Sequence, residues 1–342
     1  RIIPYYSYIF YEVKMKKIRV LICNVSYQAS SGSYIKLLRN SQYFDCYIVG
    51  CDVIKKGYSS GSMLVDKFYP IPRAYSNQQY ISTIESICKN ENIDLILSAE
   101  EEDLVLFKKY KINQAIYKCI PDESLFKLFN DKHLANISIS KNGIPIPHTI
   151  NTRADFEESN SSTFIYRERV SCCSRGIRIL KRSEIDDKYI FYSSKHITQE
   201  FIEGKEYTVD VFCDREGGVR MIVPRVSLAL KDGITFKCII KNNTEIIKLC
   251  KKIYSIYCLP GISNIQFIVR NGRAYFIELN PRAASTLIAS TLASLNILDL
   301  YILHFLLNEE IPQYDTLMQT VKWGTIISRY YEETVYRESE DT

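Results

Sequence analysis

Between residues 18 and 97 short β-branched runs alternate with longer amphipathic stretches, and this alternation restricts the fold more than any other feature of the chain. The runs at 18–23, 46–50 and 93–97 read as strands, and the stretches near 33–40 and 77–90 as helices. Strands separated by helices pair in parallel, because a parallel neighbour needs a long crossover that a helix supplies. A Rossmann-like α/β lobe is therefore expected over residues 15–120. A single helix over 122–142 follows, ended by Gly143 and Ile144-Pro145-Ile146-Pro147, which cannot continue it. Beyond Thr163 strands and hairpins take over, at 164–168, 176–180, 197–202, 207–213, 219–223, 261–269 and 273–279, so this half is expected to be antiparallel α+β. With 342 residues the chain exceeds one average core, and two or three domains are expected.

Composition excludes several classes of function. The 44 Lys and Arg are interspersed with 39 Asp and Glu for a net charge of only +5, which is no phosphate-backbone footprint, so nucleic acid is not an expected partner. Eleven cysteines lack the short paired spacings of a zinc site, and four histidines add little. They read as reduced thiols of a soluble cytoplasmic protein. The most apolar stretch, around 298–307, is interrupted by Asp299 and His304 and is too short to span a bilayer, so no membrane role is expected. Residues 1–14 lack a signal-peptide layout, and Met15-Lys16-Lys17 runs directly into a strand; Met15 is read as the native start and 1–14 as extraneous. Residues 332–342 read as a frayed, polar tail.

The turn after the first strand, residues 24–32, holds one glycine, whereas a dinucleotide pyrophosphate needs several for close backbone approach. A nicotinamide-dependent oxidoreductase is thereby disfavoured. Asp52 and the run Glu100, Glu101, Glu102, Asp103 fall at strand ends, where they either line a crevice or form a solvated helix start.

The richest stretch is 261–282, two strands joined at Asn271-Gly272. Odd positions (Ile265, Phe267, Val269, Tyr275, Ile277, Leu279) are apolar, while Asn264, Gln266, Glu278 and Asn280 are even and polar. For the even residues to share a face, a three-residue loop with a bulge at Gly272 is expected, placing Asn264 opposite Glu278. One carboxylate among carboxamide oxygens beside Arg282 is hard-ligand chemistry suited to Mg²⁺ on phosphates. The alternative is an ordinary solvated sheet face.

The run Glu278-Leu279-Asn280-Pro281-Arg282 after Asn264-Ile265-Gln266 resembles the metal and phosphate strands of ATP-grasp enzymes, in particular the carbamoyl-phosphate-synthase-like branch. The resemblance implies a Rossmann-like pre-ATP-grasp domain followed by a two-lobed ATP-grasp fold, a mixture of α/β and α+β. The corresponding domains are 15–120, a linker helix and lid lobe at 121–198, a core lobe at 199–312 and a C-terminal segment at 313–342. It implies metal ligation by Gln266, Glu278 and Asn280, and phosphate or acyl-phosphate contact by Arg282. Residues 199–210 resemble the hinge strand, which implies adenine at the backbone of Glu200, Phe201 and Ile202 beside Gln199, and ribose hydroxyls on Glu206. Residues 166–177 resemble the strand and loop over the triphosphate, with Arg167 on phosphate and Ser174 in the loop; Ser171, Cys172 and Cys173 stand where the family has glycines. Lys132 matches a phosphate-reaching lysine, and Arg225 an arginine facing the reaction centre. The likeness covers roughly residues 15–310 and is weakest in the first lobe. The implied activity is an ADP-forming carboxylate–amine ligase using ATP with Mg²⁺, for which Mn²⁺ can substitute, acting on small-molecule carboxylates and amines; a homodimer is compatible with it. Ser285 stands where carbamoyl phosphate synthase has a second arginine, which argues against bicarbonate as the acceptor. A nucleotide-binding sensor or assembly protein without turnover is the alternative that the glycine-poor loop suggests.

Overall fold

The computed structural model describes residues 15–338 except 27, 74–76, 99, 113–116, 119–121, 171–175, 191–194 and 232. The segment read as extraneous, 1–14, lies outside the described residues, as do Cys172, Cys173 and Ser174. The chain divides into two compact units. Unit 1 comprises the described residues of Arg1–Ile120, Leu295–Ile311 and Tyr331–Thr342; unit 2 comprises those of Pro121–Ser294 and Pro312–Tyr330.

Unit 1 begins with β1 (Lys16–Cys23), α1 (Gln28–Arg39), β2 (Phe44–Asp52), α2 (Gly61–Leu64), β3 (Lys67–Pro70), α3 (Asn77–Asn90), β4 (Leu95–Leu97), α4 (Glu101–Lys109) and β5 (Tyr117–Lys118). The strands form one parallel sheet in the order β3-β2-β1-β4-β5, as the strand–helix alternation predicts. One face buries Leu21, Cys23, Val49, Cys51 and Ile96 under Ile81, Ile84, Ile87 and Phe107. Asp52 and Asp103 at the strand ends are buried and committed to the protein. Asp52 accepts from the Ser26 amide at 2.7 Å, and Asp103 accepts from Tyr80 Oη at 2.6 Å and from Asn24 Nδ2 and Ser98 Oγ at 2.7 Å. They tie the loops above the sheet together. The end of the chain, read as a polar tail, has no regular structure at 331–338 yet rests on unit 1, with Tyr336 against Gly57 and Tyr58 Oη donating to Glu338 at 3.2 Å.

Unit 2 opens with two helices where the sequence suggests one: α5 (Glu123–Asn130) and α6 (Lys132–Lys141). Asp131 divides them. It leaves helical geometry at φ −94°, ψ 105° and accepts from the His133 and Leu134 amides, capping α6. The continuous apolar periodicity conceals this break, because a cap is a local competition that periodicity does not register.

A four-stranded sheet in the order β6-β9-β7-β8 follows, from β6 (Thr149–Ile150), β7 (Thr163–Glu168), β8 (Arg178–Lys181) and β9 (His196–Glu200), flanked by α7 (Arg153–Glu158) and α8 (Asp187–Ile190). The larger sheet is β14-β13-β10-β11-β12-β15, from β10 (Lys205–Cys213), β11 (Val219–Lys231), β12 (Ile234–Ile240), β13 (Gly261–Arg270), β14 (Arg273–Asn280) and β15 (Ile326–Ser328). Two of these strands, β12 and β15, carry no clear alternation in sequence, and β11 runs eight residues beyond its expected end. Helix α9 (Thr244–Tyr257) and helices α5 and α6 cover one face, burying Val209, Val211, Ile222, Ile265, Phe267 and Phe276 with Ile246, Ile253, Phe129 and Ile139. Each such side chain contributes roughly 1.5–3 kcal/mol on burial. Helix α10 (Leu287–Leu292) follows β14, α11 (Ile297–Tyr301) belongs to unit 1, and α12 (Tyr314–Gln319) precedes β15.

The β13–β14 hairpin differs from expectation in an instructive way. Arg270 pairs with Arg273 across a two-residue turn, with Asn271 at φ 51° and Gly272 at φ 78°, the left-handed pair that a tight hairpin requires. The bulge lies further along: Phe267 pairs with Phe276 but Gln266 pairs with Glu278, so Ile277 is the extra residue. Near the turn the core side chains of β14 are therefore the even Ala274 and Phe276, not Tyr275 and Ile277. Past the bulge the phase flips and Leu279 turns inward, leaving Glu278 and Asn280 on the opposite face. Asn264 consequently faces Asn280 rather than Glu278.

Candidate active site

The face of the large sheet away from its helices carries rows of polar residues in register. One row runs Glu278, Gln266, Thr208, Arg225 across β14, β13, β10 and β11; the next runs Asn280, Asn264, Asp210. Cross-strand partners point to one face, so antiparallel pairing assembles residues up to seventy positions apart. Glu206 stands one row nearer the hinge, beside Ile268.

Glu278 is the centre of this face. Asn280 Nδ2 donates to Glu278 Oε1 at 3.1 Å and lies 3.4 Å from Asn264 Oδ1. Lys132, at the first turn of α6, brings Nζ to 4.0 Å from Glu278 Oε2. Lys132 holds this place because its own amide donates to Arg169 O at 3.0 Å, while Arg169 pairs with the capping Asp131 at 2.6 Å.

Arg167 approaches from β7 in the small sheet. Its Nη2 donates to Gln199 Oε1 at 2.9 Å and reaches the carbonyl of the bulge residue, Ile277 O, at 3.4 Å. Burial lowers the pKa of Arg167 from its ordinary value and the Glu278 charge opposes this. Its Nε is buried with no hydrogen-bond partner among the described residues, so a guanidinium donor is left for a ligand. Gln199 is fully buried and donates to Thr149 Oγ1 at 3.1 Å. It orients Arg167 and presents no surface of its own.

The hinge is the linker 201–204 between β9 and β10. The Glu200 amide donates to His148 O at 2.8 Å and the Phe201 amide to Thr163 O at 3.0 Å, so these two donors are spent within the protein. Gly204 lies so close to β13 that a Cβ would meet Val269 O at 2.5 Å, which explains glycine at the lobe junction. Glu206 is exposed, yet desolvation and then the Glu278 charge raise its pKa. Two carboxylates sharing one field is the arrangement that a cation between or beside them relieves.

Arg282 lies just beyond β14, its amide donating to Asn280 O at 2.7 Å and its carbonyl accepting from Asn264 Nδ2 at 3.4 Å. Arg225, expected to face the reaction centre, stands at the far end of the Glu278–Gln266–Thr208 row. It is buried, paired through Nη1 with Asp210, and donates to Ser290 Oγ at 3.1 Å and Thr286 Oγ1 at 2.5 Å. Asp210, Thr208 and Arg169 had not been singled out; the even parity of Glu206, Thr208 and Asp210 along β10 is the signal that would have found the first two.

The oxygens gathered here are one carboxylate and several carboxamides, and no cluster of three His, Cys, Asp or Glu side chains occurs among the described residues. Such a set fits a hard, phosphate-bridging cation and not zinc. Residues 193–326 match the family profile described as ATP-grasp in the biosynthetic pathway with Ter operon. This stretch, which holds the β13–β14 hairpin, is thus similar to an ATP-grasp domain. Residues 20–119 match the profile of the PylC-like N-terminal domain, consistent with the Rossmann-like lobe ahead of the grasp. The chain is 30% identical over 135 residues to D-alanine–D-alanine ligase of Fusobacterium nucleatum, covering 36% of this chain and 47% of that one. It is 32% identical over 98 residues to the carbamoyl phosphate synthase large chain of Lachnoclostridium phytofermentans, covering 26% of this chain and 9% of that one, in keeping with a carbamoyl-phosphate-synthase-like branch. The matches thus span at most about half the length of these relatives. The fold is that of the biotin carboxylase domain of Hydrogenobacter thermophilus 2-oxoglutarate carboxylase, solved with MgADP and bicarbonate, at TM-score 0.67 and 13% identity over 90% of this chain and 73% of that one. No helix among the described residues is long and apolar enough to cross a membrane.

Proposed function

We propose that this protein is an ADP-forming ligase of the ATP-grasp family that activates a small-molecule carboxylate as an acyl phosphate and joins it to an amine. The observation that carries the reading is the Glu278, Asn280 and Gln266 oxygen face, approached by Arg167 from one lobe and Lys132 from the helix before it.

Glu278, with Asn280 and Gln266, would hold Mg²⁺ or Mn²⁺; Asn280 needs only to turn its amide to present oxygen. The ion would supply charge neutralisation on the β- and γ-phosphates. Arg167 Nε, Lys132 Nζ and the Arg282 guanidinium supply donors for the phosphoryl oxygens. The Ile202 amide and the hinge carbonyls would meet the adenine edge, with Glu206 accepting from the ribose diol. A carboxylate oxygen of the substrate attacks the γ-phosphorus as the bond to ADP breaks. The amine nitrogen then attacks the acyl carbon, phosphate departs with both bonding electrons, and nitrogen loses a proton. Substrates, with a homodimer as the assembly, follow from the relatives and form part of this reading.

The test is phosphate release with MgATP against a panel of amino acids and other carboxylates with amines. Release that needs a carboxylate and disappears in Glu278→Ala supports the ligase. Nucleotide binding without release would instead make the protein a sensor.

A further inference from the structure

The segment 281–286, which carries Arg282 from the end of β14 to α10, is held by side chains from two strands of the large sheet and from the residue that follows a third. Asn264 on β13 donates to Arg282 O at 3.4 Å, Arg329 just past β15 donates through Nη2 to Ser285 O at 2.9 Å, and Arg225 on β11 donates to Thr286 Oγ1 and Ser290 Oγ. Ser290 Oγ in turn donates to Asp210 Oδ2 at 2.6 Å, closing a ring of Asp210, Arg225 and Ser290.

We propose that Arg225, Asp210 and Arg329 form a clamp that positions the Arg282 loop, and that none of the three touches substrate. Thr286 occupies the N-cap of α10, where threonine ordinarily bonds its own helix amides, but its side chain makes no capping bond and accepts from Arg225 instead. The loop is thus tied to the sheet at the expense of its helix.

The ion pair is fully buried, with side-chain exposures of 1% and 0%, and Arg225 Nε and Asp210 Oδ1 have no partner among the described residues. A buried pair left incompletely satisfied gains little over apolar residues of the same shape. What it supplies here is direction: the rigid guanidinium fork fixes two hydroxyls on adjoining elements at once. Arg329 reaches the same loop, its pKa lowered by burial and then by the Arg225 charge, and it spends a donor on a carbonyl of the loop.

The consequence for turnover rests on the ligase reading above; the consequence for loop order does not. Amide exchange of the unliganded protein is followed by mass spectrometry in Arg329→Gln, Arg329→Lys and Thr286→Val. Exchange across 283–289 rises about tenfold or more in Arg329→Gln and Thr286→Val, the equivalent of one charge-assisted hydrogen bond, with β10 and β13 unchanged. Arg329→Lys, which keeps one donor, falls between. In phosphate release the same variants lose kcat about tenfold while the Kd for MgADP and the KM for the carboxylate stay within about twofold. Unchanged loop exchange overturns the clamp, and so does a raised carboxylate KM in Arg329→Gln, which would make Arg329 a substrate-binding group. If the wild type releases no phosphate with any carboxylate, the ligase reading fails and exchange alone decides the clamp.

Discussion

Replacing Asp210 by asparagine keeps the shape of the buried pair and removes one of its charges. Arg225 would then lie 1% exposed with no carboxylate against it, since its other contacts are the hydroxyls of Ser290 and Thr286. Leaving one member of a buried pair uncompensated costs about 3–5 kcal/mol, a large share of the roughly 5–15 kcal/mol that stabilises a domain. For a unit of this size, about 2–4 °C per kcal/mol, the midpoint of unit 2 should fall by roughly 6–20 °C. Trp323 is the sole tryptophan and lies in unit 2, so its fluorescence during urea or thermal unfolding follows that unit selectively. Because the pair is dry, the loss should be the same at about 0.1 and 1 M salt, unlike that of a surface pair. The double variant Asp210→Leu with Arg225→Met should recover most of the stability, because two well-packed apolar groups replace two charges together. A cost below about 1 kcal/mol for Asp210→Asn, or a double variant as unstable as the sum of the singles, would refute the reasoning.

Three further outcomes are expected. Glu278→Gln keeps the hydrogen bond from Asn280 but removes the only carboxylate of the proposed metal set, so calorimetric affinity for MgADP should fall at least about tenfold while metal-free ADP binding changes little. Burial raises the pKa of Asp299 in unit 1 to about 6 from 3.8, so the folded state binds its proton more tightly than the unfolded chain. Stability of unit 1 then falls as pH rises from about 4 to about 6, by about 1.4 kcal/mol per pH unit, and Asp299→Asn should abolish that slope in the circular-dichroism transition that Trp323 does not report. Gly272→Ala has open space around the new methyl but must hold φ 78°, so it should cost about 1 kcal/mol in the urea midpoint, whereas a larger loss would mean contacts the turn does not have.

The parallel lobe was legible because its signal is periodic and local: β-branched strands and amphipathic helices each carry their own pattern from 18 to 97. The oxygen face was legible in composition, since Gln266, Glu278 and Asn280 lie on two adjacent strands. Its pairing was not, because a bulge at Ile277 is decided by which of Tyr275, Phe276 and Ile277 packs best beneath the helices, and parity alone cannot choose. The break at Asp131 escaped for the related reason that the partner stabilising it, Arg169, is thirty-eight residues away. Strands β12 and β15 and the clamp on the Arg282 loop escaped for the same cause: they exist only as pairings between distant segments. The sequence by itself determined the alternation of the first lobe, the hard-oxygen chemistry of the hairpin and the class of ligand that chemistry suits. Tertiary structure alone decided which oxygens face one another and that Gln199 and Arg225 are buried, because register and burial are settled by the competition of all side chains for one core.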